Sequence, residues 1–256
     1  MRISISALLC LSTALAAMAG QATAQPTKVE VRVIARGAKF LGGYTASTRV
    51  VLTDAETGEI LAQGQTSGTT GETRRIMVEA NVPGEKRSTE DSAVFRATLD
   101  IDHPRRVTLS VTGPLSQPQA TTTATSTQWI LPGHDLTAGD GWLMELPGLI
   151  VGLTQPAAYQ WVKAGTTVPL RANVTMLCGC AISEGGTWAA SDVAVEAYVT
   201  VDGAALGSVA LRFDPKSAMF DASLPTAAPG LYEVEVRAWM GKTNNAGIAR
   251  TAFFVH

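Results

Sequence analysis

The chain has 256 residues, with 20 Lys+Arg against 22 Asp+Glu and a formal charge of −2. Only 16% of its residues are charged, against roughly 25% in an average soluble domain; with no basic cluster, this argues against nucleic acid as a partner, because phosphate binding draws on clustered Lys and Arg. An apolar content of 46% is enough for a sizeable core and argues against a disordered chain.

The N-terminus reads as an address. Arg2 supplies a positive start, Ile3 to Met18 is apolar and uncharged, and Ala22-Thr23-Ala24 is a small-x-small cleavage site. The expectation is a signal peptide over residues 1–24, cut between Ala24 and Gln25, and a periplasmic or secreted product. A membrane span needs ~20 consecutive apolar residues; this run is shorter and ends in Gly20, Gln21 and Thr23, and no later segment approaches a span. Cys10 sits inside the apolar region rather than at its end after a small residue, which argues against lipidation. Cleavage removes Arg2 and Cys10. The formal charge moves from −2 to −3, and Cys178 and Cys180 are left in a compartment where disulfides persist.

After Gln25 the pattern has period two almost throughout. Val29, Val31, Val33 and Ala35 alternate with Lys28, Glu30, Arg32 and Ile34, as in a half-buried strand. Arg49 to Thr53 predicts a second strand, with the turn Asp54 to Gly58 leading into Ile60-Leu-Ala62. A Gly- and Thr-rich turn around Gly68 to Gly71 then precedes a further apolar stretch, Arg75-Ile-Met-Val78. Pro83 to Ser92 is charged and reads as a solvated loop. Phe95, Ala97 and Leu99, then Val107, Leu109 and Val111, mark two more alternating strands. Gly113 to Thr127 is either a connector or an edge strand, its Thr run favouring the strand.

The second half repeats the architecture. Gly148 to Thr154 and Thr166 to Leu177 are apolar and β-branched, and Val193 to Val201 alternates up to a hairpin turn at Asp202-Gly203. Val209 to Phe213, Phe220 to Leu224, Tyr232 to Ala238 and Ile248 to Val255 follow. No helical period runs for three turns, and turn signals recur about every 8 to 12 residues. The fold class predicted is all-β: two β-sandwich domains, 26–145 and 146–256, meeting near Glu145 to Gly148.

The segment from about Asp192 onward resembles the last strands of bacterial immunoglobulin-like modules. The residues that carry the likeness are Val201-Asp-Gly203, Pro229-Gly-Leu-Tyr-Glu-Val-Glu-Val236 with Arg237-Ala238, and Ala252-Phe-Phe-Val255. Tyr232, just after a Pro-Gly turn at a strand start, is similar to the tyrosine corner of such sandwiches. The resemblance implies an architecture and no particular function. There is no Cys-Trp-Cys framework of the antibody type.

Catalytic motifs are missing. No G-x-S-x-G elbow occurs, H-E-x-x-H is absent, and the histidines are His103, His134 and His256 alone. Gly241-Lys-Thr243 lacks the earlier glycine of a phosphate loop, since Val236 stands there. Asp100, Asp102 and His103 are either a cation site or a solvated strand-end turn. The five tryptophans (Trp129, Trp142, Trp161, Trp188, Trp239) share no strand phase that would make a stacking face. The expectation is therefore a protein that is not an enzyme.

Two segments break the strand pattern and are candidate functional loops. Pro132 to Gly148 holds His134, Asp135, Asp140, Trp142 and Met144; Met176 to Trp188 holds Cys178 and Cys180. In a continued strand Met176, Cys178 and Cys180 share one face, and three soft sulfurs suit Cu(I). Alternatively Cys178 and Cys180 form a disulfide across Gly179. In an extended chain their Cα atoms would lie about 6.5 Å apart, near the upper limit of disulfide geometry, so glycine would have to tighten the turn. A plain turn is the third reading. The function expected is an exported, non-catalytic binding or accessory protein whose loops engage another extracytoplasmic protein or a cell-surface component. The alternative is a copper-binding or redox accessory protein using Met176, Cys178 and Cys180.

Overall fold

A computed structural model of the chain describes residues 24–43 and 47–256. The signal segment up to Thr23, with Cys10 and nearly all of the proposed cleavage site, lies outside the described residues. Among the described residues, no helix is long and apolar enough to cross a membrane.

The strands of the first half are β1 (Gln25–Ala35), β2 (Arg49–Asp54), β3 (Ile60–Gln65), β4 (Phe95–Ile101), β5 (Arg105–Gly113), β6 (Thr122–Ile130) and β7 (Trp142–Leu146). They form two sheets, β4-β1-β7 and β3-β2-β5-β6. Alternation decides which face is buried: Val29, Val31 and Val33 of β1, Val50 and Leu52 of β2, and Val107, Leu109 and Val111 of β5 have no exposed surface. The Thr-rich stretch is an edge strand, β6, whose hydroxyls pair across the sheet with β5: Thr108 with Thr127 at 2.8 Å and Thr112 with Thr123 at 2.9 Å.

One expected strand is a helical turn. Residues Thr73–Met77 form α1, where the apolar run from Arg75 to Val78 predicts a strand. Ile76 is its only buried residue and packs in a small cluster with Ile34 and Phe40, while Val78 is 73% exposed. A single apolar anchor suits one helical turn, whereas a strand here would bury alternate residues. Arg75 adds an ion pair to Glu79 one turn later, at 2.9 Å.

The second half contains β8 (Leu149–Gln155), β9 (Trp161–Val162), β10 (Thr166–Met176), β11 (Val193–Val201), β12 (Ala204–Asp214), β13 (Met219–Thr226), β14 (Gly230–Met240) and β15 (Asn245–Val255). Its entry segment divides between layers, since β8 pairs with β10 whereas β9 runs parallel to β15. On the other side β12 pairs with β11 over most of its length and with β13 through Arg212 to Asp214. Asp202 and Gly203 both take positive φ, 48° and 80°, the geometry of a two-residue primed hairpin turn. Tyr232 is buried and its hydroxyl donates to the Ala228 carbonyl at 3.0 Å, closing the tyrosine corner. The chain is thus all-β, with immunoglobulin-like sandwich architecture.

The halves meet around a buried asparagine. Asn245, with no exposed surface, accepts from the Gly148 N–H at 2.9 Å and donates to the Arg36 carbonyl and the Thr243 hydroxyl, each at 2.9 Å. Most of the buried apolar residues of both halves form one continuous cluster from Val29 to Val255.

Two carboxylates are expected to make the first half sensitive to acid. Asp54 ends β2 by accepting the N–H of Thr57 at 2.8 Å, the Arg105 guanidinium at 3.0 Å and the N–H of Glu56 at 2.9 Å, which together hold its carboxyl far below the usual range. Burial pushes Glu30 up, but hydrogen bonds and charge from Arg32 and Arg96 outweigh it and leave it lowered. A folded-state pKa below the unfolded value stabilises at neutral pH, and that contribution drains away as pH falls through the carboxylate range. The expected result is a urea midpoint that declines from about pH 5 downward, with a flatter decline and lower neutral-pH stability in Asp54→Asn. Parallel pH curves for the two proteins would reject the assignment.

Candidate functional site

The site begins where β10 stops. After Met176 the chain does not continue extended: Gly179 takes φ +77°, its N–H donates to the Met176 carbonyl at 2.8 Å, and the Met176 N–H donates to the Cys180 carbonyl at 3.0 Å. The reversal brings the Cα atoms of Cys178 and Cys180 to 5.4 Å and their sulfurs together as a disulfide. The continued-strand geometry therefore does not occur. Met176 is wholly buried, Cys178 is 1% exposed, and Cys180 is only half-buried. While the pair is bonded neither sulfur offers a thiolate, so copper capture is a chemistry of the reduced pair alone.

This turn forms one wall of a cleft of about 490 Å³. The opposite wall comes from the first half: Lys39, Gly42 and Gly43 after β1, with Thr69 and Thr70. Trp188 and Ala181 complete it on the cysteine side, and the Trp188 indole N–H donates to the Gly37 carbonyl at 2.9 Å, tying the two walls. Lys39 is the only charged residue among the described lining residues, and its ammonium donates to the Gly71 carbonyl at 3.0 Å. Gly42 lets the two first-half loops of this wall pack closely: a Cβ there would lie 2.6 Å from the Thr69 carbonyl oxygen and 2.8 Å from that of Gly68.

Several side chains of the other candidate loop are engaged in structural contacts. Asp135 accepts from the Lys28 N–H at 2.8 Å, and buried Asp140 accepts from the N–H groups of Ser88 at 3.0 Å and Arg87 at 3.2 Å, anchoring the charged 83–92 loop. Trp142 and Met144 are buried in β7. Asp102 hydrogen-bonds to His103 at an exposed turn, which lowers the Asp102 carboxyl. Among the described residues, no group of three His, Cys, Asp or Glu side chains is placed to hold a metal ion.

Strand periodicity does not reveal a second feature, an aromatic group at one sheet edge. Tyr159 and Trp161 are 68% and 67% exposed, and Trp161 stacks on Phe254 at 4.6 Å beside His256. Only the parallel pairing of β9 with β15 brings these distant residues together.

No family model and no curated protein matches the chain. Among solved structures, an engineered protein aligns at 16% identity and TM-score 0.32, over 50% of this chain, which spans only 24% of that one. The CbhA fibronectin(III)-like modules of Clostridium thermocellum align at 14% identity and TM-score 0.28, over 90% of this chain and 94% of theirs. An ICAM-5 D1–D4 ectodomain fragment aligns at 13% identity and TM-score 0.25, over 91% of this chain and 50% of that one. The immunoglobulin-like resemblance rests instead on this chain's own strand order and Tyr232 corner, and it is one of fold alone.

Proposed function

We propose that this is an exported accessory protein, cleaved after Ala24, that binds another extracytoplasmic protein through the cleft between its two sandwich domains, 26–145 and 146–256, and does so without catalysis. The observation that supports the reading is the convergence of Lys39, Gly42, Thr69 and Thr70 with Cys178, Cys180 and Trp188 around one open cleft. Function on such folds resides in loops held by a rigid scaffold, and this is where loops of both halves meet.

A photo-crosslinking amino acid placed at Thr70 tests the reading in the native host. A discrete adduct is expected from Thr70 and none from Ile60, which is exposed in edge strand β3 and does not line the cleft. Equal labelling at both positions, or none at Thr70, would reject cleft binding.

A further inference from the structure

We infer that Cys178 and Cys180 are an exchange-active disulfide that accepts two electrons from a partner's dithiol, with Cys180 as the sulfur attacked. The bridge has little structural use: it spans two positions in sequence, so it removes almost no chain entropy from the unfolded state. The turn does not depend on it either. The Gly179-to-Met176 and Met176-to-Cys180 backbone hydrogen bonds hold the reversal, so the sulfurs stay adjacent when reduced and re-oxidation needs no search. Cys178 is part of the buried core, but the bridge also reaches the wall of an open cleft through Cys180.

The two sulfurs are unequal, and that sets direction. Cys180 is half-buried at the cleft, whereas Cys178 is 1% exposed. A partner thiolate reaches Cys180 and forms a new S–S bond there. The Cys178–Cys180 bond breaks, its electron pair leaves on Cys178, and Cys178 takes a proton from solvent. The partner's second thiolate then attacks its own sulfur in the mixed disulfide, expelling Cys180 as a thiolate that is protonated in turn. The partner's dithiol has become a disulfide and this chain carries two thiols, so electrons and protons balance. The Lys39 ammonium in the same cleft favours the thiolates formed along the way. One bridge accepts one pair of electrons per cycle.

The inference rests on the cleft being the working surface, but its test uses purified mature protein and glutathione alone, independent of any bound partner. Excess reduced glutathione is expected to open the bridge in the folded protein, giving two alkylatable thiols per chain with the thermal midpoint nearly unchanged. With oxidised glutathione, Cys178→Ala (free Cys180) should form the mixed disulfide at least about tenfold faster than Cys180→Ala (free Cys178). Lys39→Met should slow the first reaction several-fold at low salt. The inference is overturned if the bridge stays closed until the protein unfolds, or if both cysteines react at the same rate. Success here alongside failed crosslinking at Thr70 would keep the exchange chemistry and remove the protein-binding reading.

Discussion

Asn245→Ala is expected to lower the unfolding free energy by about 2–4 kcal/mol, and the thermal midpoint by about 5–15 °C. The amide makes three hydrogen bonds with no exposed surface, to Gly148, Arg36 and Thr243. Each is worth about 1 kcal/mol net, and truncation also removes the partner of the part-buried Gly148 N–H and Arg36 carbonyl. Thr243→Val removes one of the three bonds and serves as the graded comparison, at about 1 kcal/mol. Denaturant unfolding measures both. An Asn245→Ala loss no larger than that of Thr243→Val would show that this amide does not close the junction between the halves.

The second large effect is expected at Gly141, which opens β7. Its φ is +68°, and a Cβ there would run into the Glu30 carbonyl oxygen, with the Glu30 carbonyl carbon 3.1 Å away. Left-handed backbone costs an alanine about 1 kcal/mol, and a clash with backbone cannot be relieved by turning a side chain. Gly141→Ala therefore forces β7 away from β1, loosening Trp142, Met144 and the Arg32 hydrogen bond to the Asp140 carbonyl. The expected cost is about 2–4 kcal/mol, with a loss of near-ultraviolet circular dichroism from Trp142. Gly58 supplies the control. Its φ is +76° with nothing within 4 Å of an added Cβ, so Gly58→Ala should cost only the conformational part, about 1 kcal/mol. Equal losses at the two glycines would mean that the approach of Glu30 to Gly141 has no energetic consequence.

The sequence by itself determined most of the strands, because strand formation in a half-buried sheet needs only a period of two. Val29, Val31 and Val33, or Val193, Val195 and Ala197, mark their buried face without reference to anything distant. Local turn chemistry was equally legible: Asp202-Gly203 makes its hairpin with positive φ, and Tyr232 after Pro229-Gly230 closes its corner on Ala228. Tertiary structure decided the rest. Arg75 to Met77 is helical because Ile76 finds one distant pocket, between Ile34 and Phe40. Asp135, Asp140 and Trp142 look like functional loop residues, yet they are consumed by contacts with Lys28, Ser88 and the core. The Cys-Gly-Cys spacing alone leaves a strand, a bridge and a plain turn open; two backbone hydrogen bonds and the +77° φ of Gly179 select the tight turn. That the turn faces Lys39, Thr69 and Thr70 is written in no local pattern, because burial of a shared core, not sequence proximity, brings residues from the two halves to one cleft.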